Sequence, residues 1–168
     1  MIYILLYLGS IVAANLLIAY FGAPAAIIVA FIFIGLDLTV RDYLHESWHN
    51  KGLVWKMGLL IASGSLISWI LNYEAAKIAI ASFSAFAAAG IADALIYQLL
   101  KDKARVMKVN GSNVVSSGVD SLVFLTIAFG GFIPDLFAKQ FAAKVVGGAI
   151  WFVIINFIRK KWSRETAV

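Results

Sequence analysis

Residues 2–21 read IYILLYLGSIVAANLLIAYF, twenty residues without a charge. At ~1.5 Å of rise per residue a helix of this length covers about 30 Å, the thickness of a bilayer's hydrocarbon core. Met1-Ile2-Tyr3 carries no charged n-region, and no small-residue cleavage site precedes Ala23, so the stretch is read as a retained span and not as a signal peptide. Five further apolar runs follow, at about 25–43, 53–71, 75–100, 113–133 and 141–158. The second carries charges at its end, from Asp37 to Tyr43. Gly22-Ala23-Pro24, Asn72-Tyr73-Glu74 and the Gly130–Asp135 stretch make short breaks, so the runs they join are antiparallel neighbours.

Composition supports the same reading. The 168-residue chain is 62% hydrophobic and 14% charged, whereas soluble domains are about 45–50% apolar and about 25% charged. Its mean hydropathy is +0.92. A chain this short cannot bury so much apolar side chain in its own interior, and lipid is the solvent that accepts the rest. The fold class expected is all-α: a bundle of six transmembrane helices forming a single domain over residues 1–168. There is no cysteine, which removes disulfides and thiolate metal sites.

The basic balance, +5 with 14 Lys and Arg, does not point to nucleic acid once its distribution is seen. Arg41, Lys51 and Lys56 surround the second connection, Lys101, Lys103, Arg105 and Lys108 the fourth, and Arg159, Lys160, Lys161 and Arg164 follow the last run. Eleven basic residues therefore fall on one side, which the positive-inside rule makes cytoplasmic, with both termini there. Trp48, Trp55 and Trp162 near these loops fit an aromatic belt.

Charges inside spans are costly, roughly 2.5–3.5 kcal/mol each on insertion scales, and each needs a reason. From the span limits, Asp93 and Asp120 each lie about seven residues, or ~10 Å, from the cytoplasmic end, with Asp37 at a similar level. The expectation is a polar layer of three carboxylates. Arg41 follows Asp37 by one turn, which predicts an i,i+4 ion pair. Asp93 has no basic residue within a turn, and Asp120 sits among Ser116, Ser117 and Ser121. Lys144 lies near the non-cytoplasmic end of its span and is expected to snorkel outward. Asn15 and Asn156 are candidates for interhelical hydrogen bonds. The small-residue stretch 81–90, ASFSAFAAAG, predicts close helix packing at the centre of the bundle.

Two other functional classes compete with transport. His45-Glu46-Ser47-Trp48-His49 has the H-E-x-x-H spacing that places two imidazoles on one helix face for Zn²⁺, with a glutamate as general base. Against a membrane zinc protease, the chain has no third His, and the motif falls at a cytoplasmic helix end. A non-transporting structural subunit is the other alternative.

Three segments carry a family resemblance. Phe33-Ile34-Gly35-Leu36-Asp37-Leu38-Thr39-Val40-Arg41 resembles the D-L-T-x-R segment that ends the second span of the VUT family of queuosine-precursor transporters. Residues 79–86, with Asp93 and Tyr97, are similar to that family's A-S-F-x-A-[FY]…D…[VI]-[FY] helix. Residues 116–129 match its S-x-x-x-D-[ST]-x-x-F-x-x-I-A-F helix, and Ala14-Asn15 and Lys144-Val145 also fit. The chain departs from the family at Gly90, where members carry Gln or Glu, in lacking a proline in the last span, and in being short. The resemblance implies import of a 7-deazaguanine such as preQ0 across a bacterial inner membrane, without enzymatic chemistry or cofactor. Substrate contacts are then expected from Asp93, Asp120, Asn15, Asp37, Ser117 and Lys144. The expected partners are the deazapurine and the bilayer, with no nucleic acid, and one small protomer leaves room for a homodimer.

Overall fold

The computed structural model describes residues 2–48 and 52–165. Helix α1 is Ile2–Phe21, and α2 occupies 25–48 as Ala25–Val29, a π-helical turn Ala30–Ile34, and Gly35–Trp48. Then come α3 (Leu53–Leu71), a short 3₁₀ turn (Tyr73–Ala75), α4 (Ala76–Leu99), α5 (Arg105–Phe129) and α6 (Pro134–Glu165). The described residues contain no strand. Among the described residues, four segments are long and apolar enough to cross a membrane: Ile2–Phe21, Tyr73–Ile96, Gly111–Phe129 and Pro134–Ile158. Within α3 the apolar stretch Trp55–Leu71 is shorter, and the second half of α2 carries the charged residues Asp37, Arg41 and Asp42. The fold is that of an all-α membrane protein.

The helices pack as a ring in the order α1, α2, α6, α5, α4, α3 and back to α1, with α1 also touching α4. Each helix turns one 3–4-spaced stripe inward. In α1 the buried stripe is Tyr7, Ser10, Ile11, Ala14, Asn15 and Ile18. In α5 it is Ser112, Ser116, Ser117, Ser121, Phe124, Leu125 and Ala128. Outward faces carry large apolar groups such as Leu5, Ile70, Ile91, Val153 and Phe157. The interior thus holds polar groups alongside small and apolar ones, while the outward faces are apolar. Two apolar clusters close the ring at its two levels, one around Ala14, Ile18, Val29, Ala85, Phe124 and Leu125, the other around Tyr7, Ile11, Val40, Leu44 and Ile155.

Hydropathy misplaces the limits of the last two helices. α5 begins at Arg105, eight residues before the apolar run, because Arg105, Lys108, Asn110 and Ser112 lower hydropathy without breaking a helix. It ends at Phe129, since Gly130 follows in the left-handed region (φ 82°), open mainly to glycine. α6 begins at Pro134, whose fixed φ suits a first helical position. The three carboxylates consequently form a staircase and not a layer. Measured from the non-basic helix ends, Asp120 lies nine residues in (~14 Å), Asp37 twelve (~18 Å) and Asp93 seventeen (~26 Å). Lys144, ten residues into α6, is at ~15 Å, level with Asp120 and near the middle of a ~30 Å bilayer core.

Candidate functional site

The inward stripe of α6 is unlike that of a lipid-facing helix. Its buried members include Gln140, Lys144, Gly147 and Ile155, at spacings of four, three and eight. Lys144 does not snorkel. It is 2% exposed, and its ammonium Nζ is ion-paired with Asp120 Oδ2 on α5 and donates to Ser121 Oγ at 2.8 Å. Snorkelling fails because the helix start at Pro134 places Lys144 ten residues deep on the inward face, beyond reach of the headgroups.

Where α2 crosses α6, backbone meets backbone. A Cβ on Gly147 would lie 2.2 Å from the Phe31 carbonyl oxygen, and one on Gly35 would lie 2.6 Å from the Gly147 carbonyl carbon. Only glycine fits there. Thr39 Oγ1 lies 3.1 Å from the Gly35 carbonyl oxygen and 3.2 Å from that of Gly148. Phe31 belongs to the π turn, which widens α2 where α6 presses on it; such turns are frequent at functional sites. Tyr43 adds a hydrogen bond to Asn156 Oδ1 at 2.6 Å, holding α2 to α6 one end further along.

Between the two apolar clusters lies a small cavity of about 20 Å³. Five helices contribute to its wall: Ala14, Asn15 and Ile18 from α1, Val29 and Ile34 from α2, Ser82 and Phe86 from α4, Asp120 and Phe124 from α5, and Gln140 and Lys144 from α6. The sixth helix, α3, acts from behind. Asn15 Nδ2 donates to Ser68 Oγ at 3.2 Å, and Ser68 Oγ donates to the Gly64 carbonyl at 2.7 Å. A second space of about 10 Å³ adjoins the first through shared Ile34, Phe86, Asp120 and Lys144, and extends along Ala89, Ser116, Ser117 and Arg41. Space for about one water is far below the ~300–1,000 Å³ of small-molecule sites. The described conformation is closed to a ligand of that size.

Sequence-predicted residues divide accordingly. Asn15, Asp120 and Lys144 meet at the first cavity, and Ser117 lines the second. Asp37 is fully buried on α2, where Ser10 Oγ makes a long 3.4 Å hydrogen bond to its Oδ1, and Arg41 one turn later reaches the second cavity. Asp93 lines neither space; it lies one turn beyond Ala89, with Oδ1 buried and unpartnered. Sequence reading missed Gln140, Ser82, Phe86 and Phe124. The signal for Gln140 was its i,i+4 relation to Lys144 on a helix opened by Pro134-Asp135. The side chains of His45 and Glu46 and all of His49 lie outside the described residues. A larger groove of about 410 Å³, between α3 and α4 along Leu66, Trp69, Tyr73, Ile80 and Phe83, is mostly apolar and offers no charged group to a polar ligand.

The helices form a ring around an ion pair at mid-depth that borders a small, mainly apolar cavity, and ionisable groups at such depth mark solute or ion pathways by default. No curated protein and no solved structure matches the chain. A family model described as "Putative vitamin uptake transporter" matches residues 4–160, nearly the whole chain, and the protein belongs to that family.

Proposed function

We propose that the protein imports a 7-deazapurine queuosine precursor of the preQ0 type across a bacterial inner membrane, with both termini on the cytoplasmic side. The observation that carries this reading is the Asp120–Lys144 pair, walled in at mid-depth beside Asn15 and flanked by Phe86 and Phe124. A 7-deazaguanine offers two adjacent N–H donors, from its ring amide and exocyclic amine, which one carboxylate accepts side by side. Its carbonyl accepts from an ammonium, and its faces stack on phenylalanine rings. Asp120, Lys144 and the two Phe residues supply each of these partners. In the closed conformation Lys144 occupies Asp120, so binding exchanges one charge-assisted partner for another without leaving either charge bare. Ser117 and Arg41 extend the polar path toward the basic-loop side. The eleven basic residues on that side support the assigned orientation.

The test is uptake of labelled preQ0 by queuosine-deficient cells expressing the protein. Saturable uptake that exceeds vector controls, followed by queuosine in tRNA, is the expected result. Correctly inserted protein with uptake equal to the control overturns the substrate.

A further inference from the structure

Gln140 is the member of the cavity wall with incomplete bonding. It is 2% exposed, and its amide oxygen Oε1 meets no donor. Its neighbours differ: Lys144, one turn on, is held by Asp120 and Ser121, and Asn15 by Ser68. A buried amide oxygen without a donor costs stability, and an apolar side chain of the same length would fill the space without that cost. Packing therefore gives no reason for a glutamine here.

We propose that Gln140 is a ligand-recognising residue whose amide oxygen accepts an N–H from the transported heterocycle. The proposal rests on the transport reading of this cavity and adds which group reads the ligand and what the ligand must bring. Ser68 spends its proton on the Gly64 carbonyl and can only accept from Asn15, which fixes the Asn15 amide with its oxygen away from Ser68. Asn15 and Gln140 thus offer amide acceptors from α1 and α6, on the wall that also holds Asp120. A ligand that satisfies these acceptors carries N–H donors on more than one edge. A 7-deazaguanine has them on its pyrimidine edge and on its pyrrole nitrogen. A nucleoside, substituted at that nitrogen, has lost one.

The experiment uses full-length protein in nanodiscs, with Gln140→Met as the near-isosteric variant that lacks the amide and Gln140→Leu in parallel. Equilibrium binding of preQ0 and of guanine is measured beside the melting temperature of the ligand-free protein. The expected result is a roughly tenfold rise in Kd, the size of one lost hydrogen bond, with a ligand-free melting temperature equal to or above wild type. Unchanged affinity in a folded variant overturns the proposal, as does loss of the fold in both variants, which assigns Gln140 a structural role. Wild-type protein that binds guanine and not preQ0 overturns the substrate proposed above, and the Gln140 comparison is then read on guanine. Wild-type protein that binds neither overturns both.

Discussion

Asp120 and Asp93 lie on α5 and α4, helices that pack closely along their length, yet they meet opposite surroundings. Asp120 is paired with a buried ammonium, borders both cavities and sits near mid-depth. Asp93 stands ~12 Å nearer the basic-loop end, borders neither cavity, and has one oxygen walled in without a donor. A carboxylate at mid-membrane is tolerable when a counter-charge on the next helix compensates it. One nearer the interface can persist with less, because water is closer. The difference teaches that depth and partner, more than residue type, separate the acid that borders the cavities from the one that does not.

The harshest way to break this comparison is to remove the counter-charge. Lys144→Met leaves the half-buried Asp120 opposite a thioether; stripping one partner from a fully buried pair costs about 3–5 kcal/mol, and the exposure of Asp120 sets the loss toward the lower end of that range. Membrane-inserted, detergent-stable protein should fall sharply, as read by fluorescence-detected size exclusion. Replacing both partners, Lys144→Met with Asp120→Asn, removes the uncompensated charge and should recover folded protein but not uptake. If the single variant is as stable as wild type, the pair does not hold α5 to α6. Next in size is Asp120→Asn alone. It exchanges an ionised acceptor for a neutral amide, losing about 1.5–3 kcal/mol of charge-assisted bonding, or very roughly one to two decades of preQ0 affinity. Uptake normalised to inserted protein is the measurement, and normal uptake would remove Asp120 from ligand recognition.

How the site could be read from the chain turns on one boundary. The six helices, their order and the short turns were legible because long uncharged runs and Gly/Pro breaks are strong signals. Hydropathy, however, starts the last run at Phe141, which leaves Gln140 outside the membrane and Lys144 near its edge. The helix starts at Pro134, and seven added residues, about two turns, carry both side chains into the interior. The same error at Arg105 drew the three aspartates into one layer. The π turn at Ala30–Ile34 leaves no mark on a hydrophobic run; it lies where α6 comes closest, with Gly147 against the Phe31 backbone. Asn15 was legible as an interhelical hydrogen bonder, but its partner Ser68 lies 53 residues away, and only packing brings them together.

That partnership gives a gentler probe. Ser68 does not line either cavity, so Ser68→Ala reaches the cavity only through Asn15; its other bond, to the Gly64 carbonyl, lies within α3. Losing one neutral hydrogen bond, about 0.5–1.5 kcal/mol, frees the Asn15 amide to turn and should raise the uptake KM by about two- to tenfold. Maximal velocity should hold, because the helices that part and close are untouched. A fall in velocity with unchanged KM would mean that Ser68 supports the α1–α3 contact and not the orientation of Asn15.

The smallest effect is predicted for Asp93→Asn, and it is the sharpest check on the contrast between the two acids. The substitution keeps the shape of the side chain and removes only its charge. Asp93 lies outside both cavity linings, so no ligand contact in the closed site is lost. Its buried Oδ1 has no donor to lose, so no hydrogen bond to that atom is broken. What remains is the desolvation of a carboxylate, which the neutral amide reduces. The expected outcome is a melting temperature equal to or slightly above wild type, and normalised preQ0 uptake within about twofold, under ~0.5 kcal/mol. A tenfold loss of uptake with normal insertion and undiminished preQ0 binding would place Asp93 on the route from the cavity to the basic side. It would then act on passage, while Asp120 acts on recognition. A loss of binding as large as that of Asp120→Asn would erase the distinction, and the site would have to be redrawn to include the far end of α4.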